Sequence, residues 1–169
     1  MSIELLFEQI QTLLDSQSTR SLIGIVGKPG AGKSTVVEEI EKRYKPNEVS
    51  IIPMDGFHLS NEELIKLGRR DRKGAPDTFD VEGFISLIKK VKHEPQDNHK
   101  FPFFHREIEA SVENEGLVPK ESKVVVIEGN YLFSEGYNWD SIYPLLDHTW
   151  FIDINEITRS KNTDYSMSV

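Results

Sequence analysis

A short apolar strand that leads into a glycine-rich loop constrains the fold of this chain more than any other feature of its sequence. Residues 22–26 are apolar, and residues 27–34 follow at once with the pattern G-x-x-x-x-G-K-S. An amphipathic pattern then predicts a helix from Lys33 to about Tyr44. A strand, a glycine loop and a helix in this order are typical of a parallel α/β sheet.

Further strands and helices alternate along the chain. Apolar runs at 49–53, 124–127 and 150–152 predict three more buried strands. Helices are predicted where apolar residues recur at helical spacing or where capping residues occur, namely over 3–14, after the capping-box pair Ser60 and Glu63, and after Asp80. Strands separated by helices predict an α/β fold, a three-layer sandwich with a mostly parallel sheet.

The sequence between these elements supports less regular predictions. Residues 92–100 are polar and contain Pro95, which predicts a surface loop. We also predict an extended segment over 101–112, a turn at 114–116 and a helix over 139–146. The aromatic residues of the extended segment are expected to pack in the core: Phe101, Phe103 and Phe104.

The glycine loop has the composition of a site for a nucleoside triphosphate. Glycines let backbone N–H groups approach phosphate oxygens, and the following helix adds a favourable dipole. Lys33 is expected to contact the β- and γ-phosphates, and Ser34 to ligate Mg²⁺. The residues predicted to bind the nucleotide are Gly27, Lys28, Pro29, Gly30, Ala31, Gly32, Lys33, Ser34 and Thr35.

Glu128 is the second candidate ligand for Mg²⁺. It directly follows the apolar run 124–127, at the carboxyl end of a predicted strand. Ligands gather at that edge of open α/β sheets, and an acidic residue there can organise Mg²⁺ and its waters. The simpler alternative is a solvated glutamate at a strand end. We favour the metal site because Gly129 leaves the approach open.

Asp55 is the candidate general base. It follows the second predicted strand, where a carboxylate can accept the proton of an attacking hydroxyl group. The alternative is a residue that caps a turn before Gly56. Phosphate loops also occur in GTPases and motors, but the Asn-Lys-x-Asp segment on which guanine specificity usually depends is absent.

The overall charge limits the classes of partner. The chain of 169 residues has a net charge of −8 and contains no cysteine. An acidic surface repels nucleic acid and anionic membranes, so neither is an expected partner. The lack of cysteine excludes disulfides and thiolate metal sites. No signal peptide and no apolar run of about 20 residues is present, which predicts a cytoplasmic protein.

Four segments in a fixed order give the chain a resemblance to a kinase family. They are the phosphate loop, Asp55-Gly56-Phe57-His58, residues 72–80 with the sequence RKGAPDTFD, and residues 124–131, which end in EGNY. Together they resemble the P-loop small-molecule kinases that include uridine kinase, bacterial-type pantothenate kinase and phosphoribulokinase. The chain is most similar to uridine kinase-like members, and the resemblance covers about residues 20–155.

The resemblance implies a P-loop NTPase fold, ATP as the phosphate donor and a small hydroxyl compound as the acceptor. The favoured acceptor is a nucleoside such as uridine, with pantothenate or a sugar as alternatives. The resemblance gives Asp55 and Lys33 catalytic roles and implies that these residues contact the acceptor: Asp55, His58, Arg72, Phe79 and Arg106. A group of basic residues indicates either an anionic acceptor or a solvated basic face: Arg69, Arg70 and Arg72.

The pattern of this family is lost near the C-terminus. Relatives continue beyond the strand that matches residues 150–152 into a helix with several arginines, a mobile lid and a last strand. Arg159 is the one candidate remnant of these arginines. We therefore expect a kinase domain over 1–155, a frayed or non-family tail over 156–169, and a missing last strand and lid. Without the lid, the chain could bind nucleotide with little or no catalysis, because such arginines stabilise the transferring phosphoryl group.

Overall fold

Helices and strands alternate through most of the chain, as the sequence predicts. The computed structural model describes residues 3–16, 19–28 and 30–153, and the backbone of 156–159. The helices are α1 (Glu4–Asp15), α2 (Lys33–Arg43), α3 (Asn61–Leu67) and α4 (Val81–His93). The strands are β1 (Ser21–Val26), β2 (Val49–Pro53), β3 (His99–His105), β4 (Ala110–Val118), β5 (Val124–Gly129), β6 (His148–Asp153) and β7 (Glu156–Arg159). None of the helices in these ranges has the length and apolar character needed to cross a bilayer.

The main sheet has five strands in the order β2-β5-β1-β6-β7. The first four are parallel, which confirms the predicted mostly parallel sheet. Residues 156–159, expected in the C-terminal tail, pair antiparallel with β6 and form the edge strand β7. Residues 160–169 lie outside the described part of the chain. β1 is central, so the loop at its carboxyl end is flanked by the ends of β5 and β6.

Both faces of the sheet are covered, which makes the fold a three-layer sandwich as predicted. Every residue of β1 is buried. Because side chains alternate along a strand, Ile23 and Ile25 pack in a cluster that includes residues of α1 and α2. Leu22 and Val26 pack in the opposite cluster, which includes the apolar face of α4. The apolar residues predicted for α4 are all buried: Phe84, Ile85, Ile88 and Val91.

The two predicted caps begin the helices that follow them. Ser60 Oγ accepts a hydrogen bond from the backbone N–H of Glu63 at 3.1 Å, at the start of α3. Asp80 Oδ1 accepts one from the backbone N–H of Gly83 at 3.0 Å, at the start of α4. Each cap satisfies a backbone donor that has no partner within its helix. The two caps therefore fix where α3 and α4 begin.

The β3–β4 hairpin corrects the prediction of a turn at 114–116. The turn between the strands lies at 106–109, and Asn114 and Gly116 are inside β4. Asn114 has a φ of 60° and lies where the strand register shifts. A Cβ on Gly116 would lie 2.2 Å from the ring of Phe101, so this glycine allows close packing. Asn and Gly are typical of turns, but here they serve a β-bulge and a packing contact.

Two other predictions differ from the structure in detail. Residues 139–146 form two short 3₁₀ turns, Trp139–Ser141 and Tyr143–Leu145, rather than a helix. Pro144 in the second turn has no N–H group to donate to a helical hydrogen bond. The loop predicted at 92–100 is shorter, because α4 continues to His93 and β3 begins at His99.

Candidate active site

The glycine loop leaves the carboxyl end of β1 and passes close to β6. Gly30 and Gly32 have φ values of 81° and 104°, in the left-handed region that glycine adopts without strain. A Cβ on Gly27 would lie 2.6 Å from the main-chain oxygen of Ile152, so no larger residue fits there without displacing β6. The loop therefore requires glycine at these positions for backbone reasons.

The ammonium group of Lys33 lies inside this loop. Its Nζ donates hydrogen bonds to the main-chain oxygen of Gly27 at 2.5 Å and to Asn130 Oδ1 at 2.6 Å. Burial lowers the pKa of Lys33. The ammonium is satisfied by protein oxygens, and a phosphate oxygen that binds here would take the place of one of them.

The other predicted nucleotide contacts differ in exposure. Ser34 and Thr35 lie exposed in the first turn of α2, where the helix dipole favours an anion. Lys28 is exposed, and Ala31 is buried at 8% exposure. Pro29 lies outside the described residues. The structure thus places the loop and the start of α2 at the edge of the sheet that is formed by the carboxyl ends of the parallel strands.

Glu128 lies at the same edge. It is in β5 opposite Pro53 of β2, and Asp55 follows two residues later. Burial raises the pKa of Glu128 to about 7, repulsion from Asp55 adds to this effect, and Lys33 opposes it. This carboxyl group is therefore not in the solvated environment of the simpler alternative. Two carboxylates and an ammonium influence one another at this point of the sheet.

This set of donors fits Mg²⁺. Mg²⁺ prefers oxygen ligands, keeps several waters and is often completed by substrate phosphates instead of an all-protein cage. Within the described ranges, no group of three or more His, Cys, Asp or Glu could hold a metal ion by itself. The Ser34 hydroxyl and the Glu128 carboxylate are the groups that would hold the ion, with Asp55 as a neighbouring charge.

Asp55 lies in a 3₁₀ turn, Met54–Phe57, that packs tightly against the β3–β4 hairpin. A Cβ on Gly56 would lie 1.9 Å from the main-chain oxygen of Pro102. Ser111 Oγ donates a hydrogen bond to the main-chain oxygen of Gly56 at 2.7 Å. The hairpin therefore fixes the backbone of the turn that carries Asp55.

Asp55 also lines a cavity of about 480 Å³. Its lining residues come from the turn, from the segment between α3 and α4, and from the hairpin: Asp55, His58, Arg70, Lys73, Phe104, Arg106 and Glu109. Of the predicted acceptor contacts, the structure brings together Asp55, His58 and Arg106 in this cavity. A cavity of this size is in the range of small-molecule sites.

Arg72 and Phe79 were also predicted to contact the acceptor, but neither lines the cavity. Arg72 Nη1 lies 2.9 Å from the carboxylate of Asp77, which holds the guanidinium against its own loop. Phe79 is 7% exposed, and its ring centroid lies 4.3 Å from that of His58. The apolar surface of Phe79 is therefore used in packing, and its ring contacts His58 instead of the cavity.

Phe104 is a cavity residue that the sequence analysis placed in the core. Of the three aromatics in β3, only Phe101 is buried, while Phe103 is 38% exposed. The ring centroid of Phe104 lies 4.7 Å from that of His58, and Lys73 Nζ lies 5.7 Å from the centroid of Phe104. Strand alternation puts Phe103 and Phe104 on opposite faces, and this signal could have separated them.

The chain matches one family model over most of its length. The model of the Phosphoribulokinase / Uridine kinase family matches residues 22–159. This range includes the glycine loop, the Asp55 turn, the cavity residues, Glu128 and the backbone of β7. The site described above therefore lies entirely within the matched region.

Individual relatives agree with this match. A provisionally assigned uridine kinase of Schizosaccharomyces pombe is 34% identical over 95% of this chain and 72% of its own length. A pantothenate kinase of Enterococcus faecalis is 30% identical over 64% of this chain, which spans 36% of that protein. The crystal structure of a provisionally assigned fructose transport system kinase from a Silicibacter species is 34% identical, with a TM-score of 0.76, over 88% of this chain and 73% of that chain.

Proposed function

Because this chain belongs to the phosphoribulokinase/uridine kinase family, a family of small-molecule kinases, we propose that it transfers the γ-phosphoryl group of ATP to a hydroxyl group of a small molecule. The observation that carries this proposal is the position of Asp55. Its carboxylate interacts electrostatically with Lys33 and Glu128 at the phosphate loop and works to raise the pKa of both groups. The same side chain also lines the cavity of about 480 Å³. One side chain thus faces both a donor site and an acceptor site.

Each group in this arrangement has a role in the proposed transfer. The backbone N–H groups of the glycine loop and Lys33 bind and orient the phosphates. Ser34 and Glu128 would hold Mg²⁺, which would supply charge neutralisation on the phosphates. Asp55 orients the acceptor hydroxyl and takes its proton as the new bond forms.

A nucleoside such as uridine is the acceptor that the sequence resemblance favours. Phe104 in the cavity wall supports it, because an aromatic ring packs well against a planar base. Pantothenate and a sugar are the alternative acceptors.

The substitution Asp55→Asn tests the proposed reaction. It keeps the shape of the side chain but removes the base, so we expect kcat to fall by about 10²–10⁴-fold while ATP binding persists. ADP release should be measured over a panel of nucleosides, vitamins and sugars, and ATP binding by calorimetry with Mg²⁺. Asp140→Asn is the matched control, because Asp140 is exposed and lies outside the cavity.

Two outcomes would contradict the proposal. Undiminished turnover in Asp55→Asn would show that Asp55 is not the base. ATP binding by the wild-type chain without transfer to any member of the panel would instead support a nucleotide-binding protein with little or no catalysis.

A further inference from the structure

Three basic side chains from two separate segments line the same cavity as Asp55. Arg70 and Lys73 come from the chain between α3 and α4, and Arg106 comes from the turn of the β3–β4 hairpin. The whole chain has a net charge of −8, so positive charge concentrated at one cavity is not the average character of its surface. Apart from Asp55, Glu109 is the only carboxylate that lines this cavity among the residues that the structure describes.

Lys73 is held in place, unlike a lysine on a solvated face. Its Nζ donates hydrogen bonds to Asn61 Oδ1 and to the main-chain oxygen of Glu109, both at 2.8 Å. The ammonium also lies 5.7 Å from the ring centroid of Phe104, within reach of a cation–π contact. These contacts fix the ammonium group at the cavity wall, and neither hydrogen-bond acceptor is an anion.

The positive charge at this wall is only weakly compensated. Arg70 Nη2 lies 3.9 Å from Glu109 Oε2, and the Glu109 side chain is 68% exposed, so the ion pair contributes little. The guanidinium of Arg106 makes no ion pair or hydrogen bond with any residue that the structure describes. Burial, and after it repulsion from Arg70, lowers the pKa of Lys73, and attraction to Glu109 opposes this effect without cancelling it. An anion in the cavity would relieve this repulsion.

We infer that Arg70, Lys73 and Arg106 form a subsite for an anionic group of the acceptor, a phosphate or a carboxylate. The inference rests on the proposed phosphoryl transfer and departs from the neutral nucleoside that the sequence resemblance favours: it assigns the acceptor to the hydroxy acids or the phosphorylated alcohols. In the transfer, the bond from the γ-phosphorus to the leaving oxygen of ADP breaks and a bond to the acceptor oxygen forms. Asp55 takes the hydroxyl proton, and the anionic group is unchanged.

The triphosphate of ATP is the other anion that these cations could serve. None of the loop residues that the structure describes, 27–28 and 30–35, lines this cavity, whereas Asp55 lines it and also interacts electrostatically with Lys33 of the loop. Guanidinium groups bind phosphate and carboxylate through paired hydrogen bonds, which suits either kind of anionic acceptor. The geometry thus assigns the basic wall to the acceptor.

The test compares pairs of acceptors in which one member carries an anionic group and the other a neutral hydroxyl group at the same position. The pairs are ribose 5-phosphate with ribose and glycerate with glycerol, one pair for each kind of anion. Binding is measured by calorimetry without nucleotide, and turnover by ADP release. The variants are Arg70→Gln and Arg106→Gln, whose exposed side chains make unfolding an unexpected result. Lys66→Gln is the control, because Lys66 is exposed on α3 and does not line the cavity.

We expect at least one anion to bind about tenfold or more tightly than its neutral partner, and each arginine variant to reduce that preference about tenfold. The KM for ATP should stay within about twofold of wild type, as should all values for Lys66→Gln. Equal or tighter binding of both neutral compounds, or a rise in the KM for ATP with unchanged acceptor preference, would overturn the inference. Failure of the proposed function is distinct: the anion binds with the expected preference but no acceptor in either pair or in the larger panel is phosphorylated.

Discussion

At the scale of single residues, the nucleotide side of the site depends on charges that the fold holds together at a cost. Glu128 and Asp55 repel each other at the end of the sheet, and burial adds to the penalty for ionising Glu128. Only Lys33 opposes these two effects among the causes of the shift. Such an arrangement lowers the stability of the protein when no cation is bound and favours the binding of a cation. Perturbed pKa values of this kind are typical of functional sites.

The pH dependence of stability should reveal this cost. The pKa of Glu128 is about 7 in the folded chain against an ordinary value of 4.5, so the folded state binds a proton that the unfolded state releases between these values. The free energy of unfolding therefore falls as pH rises through this window, by roughly 3 kcal/mol in total. Glu128→Gln removes the loss, and we expect the variant to exceed wild type in stability at pH 8 but not at pH 4.

Urea unfolding without nucleotide and without Mg²⁺ at both pH values measures this difference. Glu135→Gln is the control, because Glu135 is exposed and should show the same small effect at pH 4 and at pH 8. If Glu128→Gln changes the stability equally at the two pH values, Glu128 does not titrate in the window given above.

Residue types with one dominant chemical use were predictable from the sequence. The glycine loop, Asp55 and Glu128 all lie at the carboxyl ends of parallel strands, and the structure gathers them at one edge of the sheet. Phe79 and Arg72 were less predictable, because a phenylalanine serves a core as well as a pocket, and an arginine serves an ion pair as well as a ligand. Only their three-dimensional neighbours separate these uses.

At the scale of elements, the buried parallel strands were predicted and the hairpin was not. The strands β1, β2, β5 and β6 each contain a largely apolar run, because helices cover both faces of the sheet. The hairpin β3–β4 is outside this sheet and has exposed positions on both strands. Its turn contains Glu109 with a φ of 50°, a residue type that gives no turn signal.

The segment after β5 connects the two halves of the site through consecutive residues. Asn130 accepts the hydrogen bond of Lys33 at 2.6 Å, and the hydroxyl of Tyr131 donates to the main-chain oxygen of Gly74 at 2.6 Å. Gly74 follows Lys73 directly, so Tyr131 positions the loop that carries the basic wall of the cavity.

Tyr131→Phe should therefore weaken acceptor binding specifically. One lost hydrogen bond of about 0.5–1.5 kcal/mol corresponds to a rise of about two- to tenfold in the KM for the acceptor. We expect the KM for ATP and the kcat at saturating acceptor to stay near wild type. Tyr143→Phe is the matched control, since Tyr143 packs on Phe133 and has no hydroxyl hydrogen bond to another described residue. A rise in the KM for ATP alone would contradict this role for Tyr131.

At the scale of the whole molecule, the strand order was beyond the reach of the sequence patterns. Apolar runs show which segments are buried, but the order β2-β5-β1-β6-β7 depends on contacts between segments far apart in the chain. These contacts include hydrogen bonds from single side chains, which no local sequence pattern predicts. Arg20, just before β1, is the clearest case.

Arg20 joins three parts of the fold at the end of the sheet opposite the candidate site. Its guanidinium donates hydrogen bonds to the main-chain oxygens of Ser122, Val91 and Pro119 at 2.9, 3.0 and 3.1 Å. Val91 is near the end of α4, while Pro119 and Ser122 lie between β4 and β5. Lysine cannot reproduce this planar set of donors. We expect Arg20→Lys to lower the free energy of unfolding by about 1–3 kcal/mol, because carbonyl groups lose their partners.

Chemical denaturation of Arg20→Lys and Arg43→Lys side by side separates this effect from a general loss of guanidinium groups. Arg43 is exposed and lies over the ring of Phe7, 3.9 Å from its centroid, so its replacement should cost less than about 1 kcal/mol. Since Arg20 is at the amino end of β1, neither variant should change the KM for ATP or for the acceptor. Equal losses of stability in the two variants would mean that the hydrogen bonds of Arg20 do not hold the sheet, α4 and the β4–β5 connection together.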